Sequence, residues 1–148
     1  MSNPLDIKPL NKELPSDFAD RLGIYYTQQV TTDHKKVNGQ FFTPIPIARL
    51  LASFCTISKS RVKILDPGCG IGILSCALIE YIVTEPTEVN IIDLVVYETD
   101  DELIPYSQKA LDYLKAWLLD KNIQCNYILY NSDFVLANAT RLRENKLQ

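Results

Sequence analysis

The residues best suited to chemistry cluster at three points, each directly after an apolar run. They are "DPGCGIG" at Asp66–Gly72, "YETD" at positions 97–100 and "YNSDF" at positions 130–134. Gly68, Gly70 and Gly72 alternate behind an acidic residue at the end of a predicted strand. A glycine has no Cβ and reaches positive φ readily, so such a turn lets a ligand lie against main-chain amides at the start of a helix. A phosphate-binding P-loop requires Gly-Lys-Ser/Thr, and no lysine follows here. A dinucleotide fingerprint requires Gly or Ala three places after its second glycine. Ile73 or Ser75 stands there, depending on the starting glycine.

Asp-x-Gly-x-Gly after a first strand is instead the pattern expected for S-adenosylmethionine, whose cationic end suits a nearby carboxylate. Asp66 is then the group that orients the methionine amino group. The ribose needs an acceptor for its hydroxyls, and Glu98 at the end of the second strand supplies a carboxylate. Asp133 at the third strand tip could accept from the adenine amino group, with Phe134 packing near the ring. Taken singly, Glu98 also reads as a solvated strand-end charge, and Asn131-Ser132-Asp133 as ordinary loop chemistry. Together the three acidic strand ends mark the carboxyl edge of an open α/β sheet, where ligands bind. Asp100 and Asp101 read as caps and first-turn charges of the following helix.

The elements that must position these groups are legible in the periodicity. Residues 1–16 carry three prolines and read as an irregular arm; a single domain occupies 17–148. Phe18, Leu22, Tyr25 and Tyr26 recur at helical spacing, which predicts a helix from about Ser16. "TDHKKVNGQ" reads as a polar loop with an Asn-Gly turn and a solvated His34. A second helix follows "FFTP": Thr43 can cap it, Pro44 suits its first turn, and Ile47, Leu50, Leu51 and Phe54 share one face. Predicted strands at 61–65, 92–98 and 125–131 then alternate with helices at 71–83 and 101–119. That alternation indicates βαβ units and a doubly wound parallel sheet.

Composition narrows the class. With 148 residues, 47% hydrophobic and 22% charged, the chain suits one ordinary globular domain. A net charge of −3 offers no surface that grips nucleic acid through phosphates alone. No apolar run reaches a membrane span, and a cytoplasmic protein without membrane attachment is expected. Cys55, Cys69, Cys76 and Cys125 form no CxxC pair and read as buried or incidental thiols in a reducing compartment.

"GQFFTP" (39–44), "DPGCGIG" (66–72), "YETD" (97–100) and "SDF" (132–134), in that order, resemble the N6-adenine DNA methyltransferases of restriction–modification systems with gamma-type motif order. The hexapeptide is the most specific piece, since helix capping alone does not require it. The resemblance implies a Rossmann-like sheet of the class I S-adenosylmethionine-dependent methyltransferase type, truncated here after the third strand. It implies that Phe42, Thr43 and Pro44 contact the methionine part of the cofactor or close its pocket. It carries Asp66, Gly68, Gly70, Glu98, Asp133 and Phe134 to the roles given above, with Cys69 and Thr99 as neighbouring cofactor contacts. No catalytic residue and no metal ligand are expected in this stretch.

The family's Asn/Asp-Pro-Pro-Tyr/Phe tetrapeptide, which holds the flipped adenine, has no counterpart here, for no Pro-Pro pair occurs in the chain. The expectation is a cofactor-binding portion, inactive alone, with DNA contacted through a C-terminal region. In the family's sheet a fourth strand lies beside the first, so the outer edge of the first strand is expected to be bare. A second copy or a partner chain is then expected to cover it. Two other readings stay open: an N-methyltransferase acting on RNA or on a protein glutamine, and an inactive S-adenosylmethionine-binding assembly module.

Overall fold

The computed structural model describes residues 3, 6–37, 41–84 and 86–144. Three strands form one sheet: β1 (Arg61–Asp66), β2 (Ile91–Glu98) and β3 (Gln124–Asn131). They run parallel in the order β1-β2-β3, with Leu65 beside Val95 and Val95 beside Ile128. Seven helices flank them among the described residues: α1 (Pro15–Gln29), α2 (Thr32–Val37), α3 (Ile45–Ala52), α4 (Ile73–Ile82), α5 (Ile104–Leu119), α6 (Phe134–Ala137) and α7 (Ala139–Glu144). The predicted strands and the βαβ alternation are present.

The core lies on one face of the sheet. Ile92, Leu94 and Val96 alternate inward from β2 and are fully buried with Val62 of β1 and Cys125 of β3 close to that. Leu111, Leu114 and Leu118 of α5 and Ile79 of α4 meet them, and Phe18, Leu22 and Tyr26 of α1 join the same cluster. Helix α1 packs across α4 and α5, and α3 packs on α4. Successive crossovers of the same hand, stepping in one direction, put their helices on one side of a sheet. The described residues therefore form one half of a doubly wound arrangement, and β1 is an edge strand. The opposite face carries Leu65 and Ile128, both about half exposed, with Val95 between them.

Two expectations are corrected. The segment 32–37 is helix α2 rather than loop: the Thr31 hydroxyl accepts from the His34 amide at 3.1 Å, and the Thr31 carbonyl accepts from Lys35 at 3.2 Å. The Asn38-Gly39 turn lies outside the described residues. In α3 the N-cap is Pro44, not Thr43, and no side chain caps that end. The apolar stripe of α3 also faces outward: Ile47, Leu50, Leu51 and Phe54 are exposed, whereas Ala48 and Ala52 are buried. Two alanines one turn apart present a thin face that approaches α4 closely. The larger side chains are left about half exposed or more.

Helix α1 is completed from outside itself. Glu80 of α4 accepts from the Ser16 amide at 2.6 Å and its hydroxyl at 2.8 Å, which satisfies the first turn that no local side chain caps. Burial pushes the Glu80 carboxyl up, and the Ser16 bonds oppose that rise.

Candidate cofactor site

The glycine turn is built by the end of β1 and the start of α4. Gly70 and Gly72 have φ of 54° and 93°, in the left-handed region that favours glycine. The turn is held from three sides: Cys69 donates its amide to Tyr97 at 2.9 Å, Gly72 donates to Cys69 at 2.8 Å, and the buried Ser107 hydroxyl donates to the Gly70 carbonyl at 2.6 Å. A Cβ placed on Gly68 would meet nothing within 4 Å. No crowding within the protein requires glycine at 68.

Two carboxylates are hydrogen-bonded to the turn. Asp66 accepts from the Gly68 amide at 3.2 Å and from the Ser75 hydroxyl at 2.6 Å. These occupy two of its roughly four lone-pair positions. Glu98 accepts from Gly70 at 3.0 Å on one oxygen, and from Thr99 at 2.8 Å and Asp100 at 2.9 Å on the other. About one acceptor position is left to it, so holding both hydroxyls of a ribose would require one of the three amides to yield.

Phe42 closes the near wall. Its ring lies 3.2 Å from a Cβ position on Gly23 and 3.4 Å from one on Gly70, so it is seated between α1 and the glycine turn. It also lies 6.0 Å from the Tyr26 ring. Phe41, Phe42, Thr43, Gly68, Cys69 and Gly70 line a shared cavity of about 60 Å³. Pro44 stands behind this wall as the N-cap of α3, and Gly39 and Gln40 lie outside the described residues. Burial, with Asp66 and Glu98 nearby, pushes the Cys69 thiol well above its ordinary range, so Cys69 is a wall and not a nucleophile.

The third strand tip is two strand spacings away, about 10 Å. Asp133 caps α6 by accepting from Leu136 at 2.9 Å, and Phe134 meets Tyr97 edge-to-face at 5.2 Å. Tyr97 in turn stacks on Tyr130 at 4.9 Å. The structure therefore gathers Phe42, Thr43, Gly68, Cys69 and Gly70 around that cavity, ties Asp66 and Glu98 to the same turn by hydrogen bonds with the Thr99 amide on Glu98, and leaves Asp133 and Phe134 further along the same sheet edge. Asp66, Glu98 and Thr99 do not line the cavity. A larger groove of about 440 Å³ lies among α1, α3, α4 and α5, but its polar groups are engaged. Glu80 holds Ser16, Arg49 pairs with Asp17 at 2.9 Å, and Lys121 sits 4.6 Å above the Trp117 ring. It borders none of the three strand ends.

Asp100 departs in part from its sequence expectation. It does cap the turn that leads into α5, but it is buried, 4% exposed, and its carboxylate has partners beyond that turn. Its carboxylate accepts from the Tyr26 hydroxyl, meets His34 Nε2 at 3.0 Å and accepts from the Glu102 amide at 3.0 Å. His34 is correspondingly no solvated loop residue. Asp101 accepts from the side-chain amide of Asn131. Tyr26, Ser75, Ser107 and Asp100 are the supporting residues that sequence reasoning missed. An aromatic facing a glycine turn was the one available signal, and it needs the fold to be seen.

Three parallel strands in one sheet with helices packed on one face form part of a Rossmann-like fold of the methyltransferase type. The chain belongs to the N-6 DNA Methylase family, whose model matches residues 19–108. That span runs from α1 into α5 and includes every site residue except Asp133 and Phe134. Over 87 residues the chain is 30% identical to the type II methyltransferase M.AccI of Acinetobacter calcoaceticus, covering 59% of this chain and 15% of that protein. Over 105 residues it is 32% identical to the type II methyltransferase M.BsuBI of Bacillus subtilis, covering 69% of this chain and 19% of that protein. The chain thus spans less than a fifth of the length of these relatives. No solved structure matches it. Membership implies a methyl donor. Among the described residues no helix is long and apolar enough to cross a membrane, and no group of side chains is suited to hold a metal ion.

Proposed function

We propose that this chain is the S-adenosylmethionine-binding part of a site-specific DNA methyltransferase acting on the exocyclic amine of a flipped adenine. The observation that carries the reading is a glycine turn with open space at Gly68 and with Asp66 and Glu98 hydrogen-bonded to its amides, in a chain of the N-6 DNA Methylase family. The cofactor supplies an electrophilic methyl group on a sulfonium, which an amine can attack directly. Within this chain Asp66 orients the amino group through its remaining acceptor positions. Glu98 takes a ribose hydroxyl, and Phe42 with Thr43 shields the methionine end from water. Asp133 and Phe134 serve the adenine at the far end of the edge.

Methyl transfer itself is assigned to groups outside these 148 residues, since the sequence contains no Pro-Pro tetrapeptide for the target base. The bare edge of β1, the outer face of the sheet and the outward stripe of α3 are continuous candidates for burial by the rest of such a domain. That part can come from the same polypeptide or from a partner chain, and it would also bring the basic surface for DNA.

Calorimetric titration of the 148-residue chain with S-adenosylhomocysteine, beside Glu98→Ala, tests the reading. Loss of a charge-assisted contact weakens binding by about 1.5–3 kcal/mol, on the order of tenfold to over a hundredfold. A folded chain that takes up no S-adenosylhomocysteine overturns it.

A further inference from the structure

A buried carboxylate is costly unless its oxygens are satisfied, and among the described residues three separate segments bond that of Asp100. Tyr26 comes from α1, His34 from α2, and the Glu102 amide from its own turn. Tyr26 and His34 converge on the same oxygen, Oδ2. The Tyr26 ring then leans on Phe42 at one side and on Tyr106 of α5 at 5.5 Å on the other. The backbone of Asp100 faces the opposite way, its amide donating to Glu98 at 2.9 Å. One residue is therefore linked to both sides of the site: directly to the carboxylate of the second strand through its amide, and to Phe42 indirectly, through Tyr26.

We infer that Asp100 is a positioning residue for the cofactor site, and that protonation of His34 sets how firmly the Phe42 wall is held and hence how tightly cofactor binds. The inference rests on the cofactor reading above. Protonated His34 donates to Asp100 with charge on both partners; the neutral ring donates to it in one tautomer only and without that charge. Asp100 and Glu102 face the ring from the turn after β2, the latter at 4.0 Å. Tyr26 reaches it through the shared oxygen, with Tyr106 behind Tyr26. On α2 itself the charged neighbours are Asp33, Lys35 and Lys36. The hydrogen bond to Asp100, followed by the two carboxylate charges, raises the His34 titration above its ordinary value. Affinity for cofactor accordingly falls as pH rises through that titration. By linkage, bound cofactor must raise the His34 titration by the same factor.

His34 is the chain's single histidine, so its ring protons can be followed by NMR without ambiguity. S-adenosylhomocysteine is titrated calorimetrically at pH 6.0 and 8.5 into wild type, His34→Gln and Tyr26→Phe, with folding checked by circular dichroism. Wild type is expected to bind about three- to tenfold more weakly at pH 8.5, the range of one charge-assisted bond lost at a distance. His34→Gln is expected to reduce that pH effect to less than about twofold; the ligand's own titration is common to both chains. Saturating ligand is expected to move the His34 midpoint upward by about half to one pH unit. Tyr26→Phe keeps the ring and removes the hydroxyl, and is expected to weaken binding about threefold at both pH values. Ligand binding that is equal at both pH values and leaves the His34 titration unmoved would overturn the inference while the cofactor reading stands. A contact that merely supports the fold would lower the melting temperature of His34→Gln and leave the pH slope of binding intact, which also overturns it. Absence of binding by folded wild type at either pH removes the cofactor reading and this inference with it.

Discussion

Gly70 donates its amide to the Glu98 carboxylate over 3.0 Å, so the tip of the first βα turn and the end of the second strand are one hydrogen-bonded unit. Glu98 is for this reason structural, besides being the proposed ribose acceptor. Glu98→Ala leaves the amides of Gly70, Thr99 and Asp100 without their acceptor. It is expected to cost about 1–3 kcal/mol of stability, lowering the melting temperature by roughly 3–10 °C. A melting curve that matches wild type would refute this. Ligand affinities of the variant must be compared at temperatures where both chains are folded.

The two glycines flanking Cys69 separate folding from binding. Gly70→Ala forces a Cβ into a left-handed backbone position, 3.4 Å from Phe42, and is expected to destabilise by about 1–2 kcal/mol. Gly68→Ala puts a methyl into open space and is expected to leave the melting temperature within about 2 °C of wild type. The same methyl occupies ligand space, so affinity for S-adenosylhomocysteine should fall at least tenfold. Equal effects of both substitutions on melting would contradict the assignment.

Glu80 reaches across from α4 to hold the first turn of α1. Glu80→Ala is expected to cost about 2–3 kcal/mol, and Ser16→Ala about 1 kcal/mol because the backbone contact survives. Denaturant titrations of both variants measure this. The folded carboxyl is raised by burial. Its contribution therefore improves as pH falls through the folded titration towards the unfolded value near 4.5, against the usual trend for carboxylates. The slope of stability with pH in that window should be lower in Glu80→Gln than in wild type, in the sense that acid relieves wild type more.

His34 gives the opposite window. Its folded titration is raised above 6.5, so the stabilisation from Asp100 is fully present below about pH 6.5 and is lost as pH rises through the folded value. Thermal melts of wild type from pH 6 to 9 should show a decline that His34→Gln lacks. Parallel curves for the two chains would exclude it.

The outward stripe of α3 bears on solubility rather than on folding. Phe54 is 75% exposed and Leu50 54%, so Leu50→Lys with Phe54→Lys should change stability by no more than about 1 kcal/mol. Removing this patch should reduce self-association of the purified chain, read by light scattering. A loss of several kcal/mol would mean that the stripe is part of the core.

The strands and the acidic strand ends were legible because β-branched runs bounded by turn residues have few other solutions. The glycine turn was legible because its spacing excludes the commoner nucleotide motifs. Helix α2 was hidden by its polarity: its hold on the fold is His34 on Asp100, a contact 66 residues apart in sequence. The packing face of α3 is not legible for a related reason. Its apolar stripe is the stronger periodic signal, yet packing against α4 selected the thin Ala48–Ala52 face. Asp100 looked like a cap since Asp residues before a helix usually are. Only Tyr26 folding back from α1 reveals that its carboxylate points inward.

One-directional winding also has a kinetic side. Each described strand pairs with the strand next to it in sequence, about thirty residues away. The two crossover helices close over the same side, so each loop closure follows the last. Such a sheet can grow stepwise from the amino terminus, with moderate contact order, without a distant strand having to thread between two that already touch. On a ribosome the glycine turn and Glu98 would meet as soon as the second strand emerged, before the third strand was made.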